Sequence, residues 1–155
     1  MPRTRGSLAR RLLLHAVLLL GIVLASCVAV GSAADALTRH QRHRVVHVAA
    51  SKAGTPYRWG ATGPRAFDCS GYTRWVFERI GARLPRTSRD QDRAVRHVRR
   101  ADRELGDLVF FSSHHRVYHV GIYAGSNTIW HAPHTGSRVS RERLWTNDVS
   151  YGRVR

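Results

Sequence analysis

Carboxylates are scarce in this chain and lysine is almost missing. Ten Asp and Glu face 26 Lys and Arg, of which only Lys52 is lysine, for a formal net charge of +16. That balance implies attraction to polyanions such as nucleic acid, anionic lipid or anionic cell-wall polymers. No zinc-finger, basic-zipper or other nucleic-acid motif accompanies the charge, and the arginines are scattered rather than gathered in one tract. The reading is therefore an anionic surface, with no specific nucleic acid as partner. Cysteine is also scarce, with Cys27 and Cys69 the only two. There is no Cys-x-x-Cys pair, and no His-x-x-x-His helix among the histidines gathered between positions 114 and 134. The crowd of His114, His115, His119, His131 and His134 thus lacks zinc spacing, and neither a metal nor another cofactor is expected. Internal repeats and low-complexity segments are absent, and 155 residues suffice for one domain with its own core.

A long apolar run occurs once, at the start. Arg3, Arg5, Arg10 and Arg11 precede a nearly unbroken apolar stretch from Leu12 to Val30, and small residues follow through Ala36. Residues 1–36 read as an export signal with Ala34-x-Ala36 as the cleavage site, or as a retained N-terminal membrane anchor. Leu24-Ala25-Ser26-Cys27 also resembles a lipoprotein signal that would acylate Cys27, and Arg10-Arg11 hints at twin-arginine export. Each of these places residues 37–155 outside the cytoplasm, secreted or at the cell surface. Cleavage after Ala36 would leave Cys69 as a lone thiol, unable to form an internal disulfide. In an oxidising compartment such a thiol is a liability unless it does something.

Cys69 sits in Phe67-Asp68-Cys69-Ser70-Gly71, directly ahead of a helical pattern in which Tyr72, Trp75, Val76 and Ile80 share a face and Gly81 stands past the end. Asp68 reads as the N-cap. Cys69 then falls in the first turn, where free N–H groups and the helix dipole favour a thiolate and a lowered pKa. The plain alternative is a small buried residue at a helix start.

Upstream, Thr38 to Ala53 reads as a helix capped by Thr38 and ended by Gly54. Val46, Ala49, Ala50 and Ala53 form its inner face, and His40, Arg42, His43 and Arg44 a solvated one. A turn-rich loop from Gly54 to Pro64 delivers Tyr57 and Trp59 just before the cysteine. Ser88-Arg89-Asp90-Gln91 fits a capping box, and Val95 to Glu104 reads as a charged surface connection. From Gly106 the pattern turns to strands. Leu108–Phe111 is a buried run, Ser112–Arg116 a polar loop, and Val117–Tyr123 and Thr128–Ala132 form a hairpin; 138–140 and 149–154 are candidate edge strands. Helices followed by an antiparallel sheet make an α+β domain.

A thiolate needs a base, and histidine is the usual one near neutral pH. With ten histidines, position has to discriminate. His119 opens His119-Val120-Gly121-Ile122-Tyr123, a buried-looking strand in which Gly121 leaves room for another group. His131 lies in the partner strand and could orient the first ring. Each alone could equally be a satisfied structural histidine. The two share a face only if the turn between them has odd length or a bulge, and pairing Tyr123 with Asn127 would set them directly opposite.

Together, Pro56-Tyr57-x-Trp59-Gly60, Phe67-Asp68-Cys69-Ser70-Gly71, Leu84-Pro85-Arg86-Thr87-Ser88, Gly106-Asp107-Leu108-Val109-Phe110-Phe111, His119-Val120-Gly121-Ile122-Tyr123 and His131-Ala132 resemble the NlpC/P60 family in order and spacing. The likeness runs from about Val45 to about Val139. It implies a papain-like fold and a monomeric cysteine peptidase acting on peptidoglycan stem peptides, most often between D-glutamate and the following diamino acid. It further implies Cys69 as nucleophile, His119 as base, His131 as orienting residue, and Tyr57, Asp68 and Ser70 as substrate contacts, with the Cys69 N–H serving the oxyanion. Ala61, Ala66 and Leu105 depart from the family pattern at loop positions. An amidase or acyltransferase on the same scaffold, or a non-catalytic cationic wall-binding protein, is the alternative.

Overall fold

The computed structural model describes residues 37–155, so the expected export or anchor segment and Cys27 lie outside the described residues. Among the described residues three α-helices come first: α1 (Arg39–Ala50), α2 (Cys69–Glu78) and α3 (Ser88–Ala94). Six strands follow: β1 (Arg96–Val98), β2 (Leu108–Ser113), β3 (Arg116–Tyr123), β4 (Thr128–His131), β5 (Ser140–Arg143) and β6 (Val149–Arg153). They form one sheet in the order β1-β6-β2-β3-β4-β5, with every pair antiparallel. This is the expected α+β architecture.

The apolar run of β2 is continuous because both of its faces are covered. Leu108 and Phe110 join Val45, Ala49, Phe67, Tyr72, Val76, Phe77, Val120 and Ile122 in a core, and α1, α2 and α3 all pack against β3. Val109 and Phe111 join Tyr123, Ile129 and Tyr151 in a second cluster. Removing such side chains from water contributes roughly 1.5–3 kcal/mol each, so these clusters dominate the stability of the domain.

Several local expectations change. Thr38 caps α1 as expected and closes a capping box with Gln41, but the inner face is Arg42, Val45 and Ala49 rather than the set centred on Val46. Arg42 is buried because Asp107, itself buried at the start of β2, accepts from Arg42 Nη1 at 3.2 Å and Arg153 Nε at 3.0 Å. Glu104 also bonds Arg42 and Arg153, each at 3.1 Å. A long-range acidic partner is invisible to helical periodicity. Thr87, not Ser88, caps α3, and Gln91 takes no part in a cap. Gln91 is buried, donates to the carbonyls of Ser70 and Pro85 at 2.9 Å each, and accepts from Thr73 Oγ1 at 2.7 Å, tying α3 beneath α2. Part of the expected surface connection after Val95 is β1, and β6 lies inside the sheet between β1 and β2 rather than at an edge. The loop at 112–116 shrinks to a tight turn, with His114 and His115 both at positive φ.

Gly71 allows α2 to meet the preceding loop. A Cβ there would lie 2.2 Å from the Ala61 carbonyl oxygen and 3.0 Å from Thr62 Cα, both backbone atoms that cannot yield cheaply. Gly71→Ala should therefore destabilise the domain by about 1–3 kcal/mol, the usual range for overpacking. An unchanged urea midpoint would show that the loop gives way instead.

Candidate active site

The helix that carries Cys69 is anchored by one carboxylate. Asp68 has extended backbone dihedrals, and its Oδ1 accepts from Gly71 N at 2.7 Å, the N-cap arrangement. Oδ1 also accepts from Ser70 Oγ at 3.3 Å and Arg86 Nη1 at 3.1 Å. Oδ2 accepts from Gly60 N at 3.0 Å and from Arg86 Nη2. Arg86 Nη1 also donates to Ser70 Oγ at 3.0 Å. The motif-level expectation made Asp68 and Ser70 neighbours of the substrate. The structure buries both and bonds their polar atoms to one another and to Arg86, while Tyr57 and Cys69 line the open cleft. The clamp by Arg86 went unforeseen, although Arg86 stood inside a motif already singled out.

Cys69 is the first residue of α2 and is 9 % exposed. Burial, and then the Asp68 carboxylate, push its thiol above the ordinary value, against the opposing influence of the Ser70 and Val120 main-chain amides. The lowered pKa expected from helix position alone does not survive this burial.

The β3–β4 connection carries the histidines. Tyr123 pairs with Ile129 and Ile122 with Trp130, a register two residues away from the Tyr123–Asn127 pairing expected from sequence. The turn is nonetheless odd: Ala124 N donates to Thr128 O, enclosing Gly125-Ser126-Asn127, and all three residues have positive φ. A shift of two preserves the face, so His119 and His131 are diagonal neighbours on one side and their rings meet at His119 Nε2···His131 Nδ1, 2.9 Å. Gly121 makes the approach possible, since a Cβ there would sit 3.3 Å from His131 Cβ and 2.9 Å from Ile129 Cδ1. Both rings are buried, at 6 % and 1 % exposure. Burial, then His131, then His134 lower the His119 pKa to about 3. Burial likewise lowers that of His131, opposed by Glu142.

These groups meet in a cleft of about 560 Å³ lined by Tyr57, Cys69, His119, His131, His134 and Glu142, with Trp59, Tyr118 and Trp145 at its rim. The three rim aromatics are the large hydrophobic side chains left exposed among the described residues. Trp145 stacks on Phe111 at 4.2 Å and lies 5.5 Å from the His131 ring, roofing the pair. Burial, followed by Cys69 and Asp68, raises the Tyr57 pKa, so its hydroxyl stays a donor. His114 and His115, in the tight turn, are exposed and stand apart from the paired rings. Glu142 was missed by sequence reasoning; only the β5 register brings it to His131, and that register cannot be read from its arginine-rich neighbours.

The model of the NlpC/P60 family matches residues 54–152. The chain is 44% identical over 100 residues to a probable endopeptidase of Corynebacterium glutamicum, covering 64% of this chain and 47% of that one. It is 36% identical over 109 residues to the bifunctional muramidase/DL-endopeptidase CwlT of Bacillus subtilis, covering 66% of this chain and 33% of the other. The chain thus spans about half or less of the length of these relatives. Among solved structures, the NlpC/p60 domain of the peptidoglycan hydrolase SagA superposes with a TM-score of 0.67 at 32% identity, over 72% of this chain and 97% of that one. The peptidoglycan hydrolase RipB of Mycobacterium tuberculosis superposes with a TM-score of 0.64 at 29% identity, over 76% and 65%.

The directions of the two shifts fix a pH dependence. With the thiol raised and His119 lowered, both are neutral at pH 7, and the thiolate accumulates only as pH rises. Alkylation of Cys69 by iodoacetamide should therefore accelerate steadily from neutral into alkaline pH. A fast rate that stays level down to about pH 5, below the unperturbed imidazole value of about 6.5, would mean a resting thiolate–imidazolium pair.

Proposed function

This chain belongs to the NlpC/P60 family, and from that premise we propose that it is a cysteine endopeptidase of peptidoglycan stem peptides cutting the bond between D-glutamate and the diamino acid. The observation that carries the reading is the meeting in one cleft of a helix-start cysteine with a buried histidine whose far nitrogen is held by a second histidine. With His119 Nε2 engaged by His131, Nδ1 is the nitrogen left to serve as base.

In this reading His119 takes the Sγ proton as the sulfur attacks the scissile carbonyl, and the Cys69 N–H, which has no intrahelical partner at the first turn, donates to the oxyanion. The carbonyl–nitrogen bond breaks, the proton passes from His119 to the leaving amine, and a thioester remains on Cys69. Water then attacks with His119 again as base, releasing the carboxylate and restoring the thiol. His131 orients His119 and shares the developing positive charge. Tyr57 is the polar contact for the substrate from the cleft wall, while Asp68 and Ser70, locked with Arg86, build the floor beneath it. Secretion or display at the cell surface gives access to this substrate, and the excess of arginine draws the domain to anionic wall polymers.

Incubation with purified muropeptides, read by mass spectrometry, tests the assignment. The products should be a stem fragment ending in D-glutamate and one beginning with a free diamino acid amine. Cys69→Ala should abolish them without unfolding the domain. Transfer of the acyl group to another amine would favour the acyltransferase reading, and activity of the variant within a few-fold of wild type would exclude thiol catalysis.

Targeting by charge has its own check, because exposed charges are screened beyond about 8 Å at physiological ionic strength. Sedimentation with anionic cell walls should be strong at low salt and lost at high salt. Retention independent of salt would point to a specific pocket or a lipid anchor.

A further inference from the structure

Glu142 has a buried histidine for a partner, whereas Asp92 faces the exposed His97 at 3.8 Å. Asp68, Glu78, Asp90, Asp102, Glu104 and Asp107 each engage an arginine. Glu142, flanked by Arg141 and Arg143 on β5, instead has its Oε2 at 3.4 Å from His131 Nε2. The β4–β5 register sets His131 opposite Ser140 and Ile129 opposite Glu142, so Glu142 is the diagonal neighbour of His131 on the same face. Ser140 Oγ donates to Oε1 at 2.6 Å, which leaves Oε2 for the imidazole. Arg141 turns away, donating to Thr128 Oγ1 at 2.9 Å and to the Ala124 carbonyl at 3.1 Å. On the other side of the contact, His131 Nε2 is fully buried and makes no hydrogen bond, so the Glu142 carboxylate at 3.4 Å is its ionic contact.

A neutral imidazole carries one proton, donating from one nitrogen and accepting at the other. The 2.9 Å contact between His119 and His131 therefore holds a single hydrogen, and two arrangements compete. If His131 were protonated on Nδ1, it would donate to His119 Nε2. His119 would then keep its proton on Nδ1 and could not accept one from the thiol. If His131 is protonated on Nε2, its Nδ1 accepts from His119 Nε2–H, and His119 Nδ1 carries the free lone pair. Between the two, only a carboxylate at His131 Nε2 discriminates, because it accepts and cannot donate.

We propose that Glu142 is a positioning residue whose carboxylate holds His131 as its Nε2–H tautomer and so leaves His119 Nδ1 free to take the Cys69 proton. The inference rests on the thiol mechanism given above and extends its relay to four side chains, Cys69, His119, His131 and Glu142. Its negative charge also stabilises the imidazolium that forms when the proton arrives, in a site whose burial otherwise opposes charge. The groups facing the relay are His119 from β3, His134 from the turn after β4, and Glu142 from β5; His134 opposes the positive charge that Glu142 favours.

Glu142→Gln and Glu142→Ala in the full chain test this, with muropeptide cleavage followed across pH. Loss of the carboxylate should lower kcat by about 10- to 100-fold, the range for removing an orienting partner, with KM little changed. Without its anion the imidazole pair is harder to protonate, so the acid limb of kcat/KM should move to lower pH. A purely structural residue would lower the thermal midpoint without moving that limb. Nitrogen-15 spectra of histidine-labelled wild type should show His131 protonated at Nε2 and His119 protonated at Nε2, with tautomer mixing in Glu142→Ala. A wild-type His131 protonated at Nδ1, or a variant with unaltered kcat and acid limb, would overturn the proposal. Should the wild type cleave no muropeptide, the substrate assignment falls while the spectra still decide the tautomer.

Discussion

The Asp68 carboxylate holds the site together. Its two oxygens receive the Gly71 and Gly60 amides, the Ser70 hydroxyl and the Arg86 guanidinium. Four separate demands meet there: the free N–H groups of a helix start, the closure of a glycine-rich loop, the docking of the chain after α2, and compensation of a buried negative charge. A buried carboxylate is costly unless paired and bonded, and Asp68 is both. The same anchoring fixes Cys69 at the cleft, since Asp68 N also donates to the Ala61 carbonyl at 2.9 Å and locks the approach to α2. The cost is a thiol raised first by burial and then by this anionic neighbour.

The second constraint is the parity of the β3–β4 turn. An odd loop puts His119 and His131 on one face whatever the exact pairing, and the missing side chain at Gly121 lets the rings close to 2.9 Å. One extra residue in that turn would part them. The meeting of the two rings is thus a consequence of backbone register.

Much of this was legible in the sequence. The Asp68 cap, the α2 face around Tyr72 and Val76, the hairpin and the order of helices before sheet all rest on local rules, which work when neighbours in sequence decide the outcome. What escaped was decided by distant partners. Arg42 reads as a solvated arginine until Asp107 and Glu104 arrive from the far end of the chain. β6 reads as an edge until β1 pairs with it. Arg86 and Glu142 carry no periodic signal, and the thiol shift depends on burial that periodicity does not measure. Residues 1–36, expected to be an export signal or anchor, and Cys27 among them lie outside the described residues.

The central claim is that Cys69 forms the covalent bond with the substrate and that His119 and His131 serve it. It is tested most directly by acid-quenching the full chain during turnover of a muropeptide and mapping the adduct by peptide mass. A thioester on Cys69 carrying the D-glutamyl fragment is expected, formed as the diamino acid product is released and no longer seen when His119 is replaced by alanine. Product release with Cys69 unmodified at every quench time, or an adduct on another residue, would contradict it.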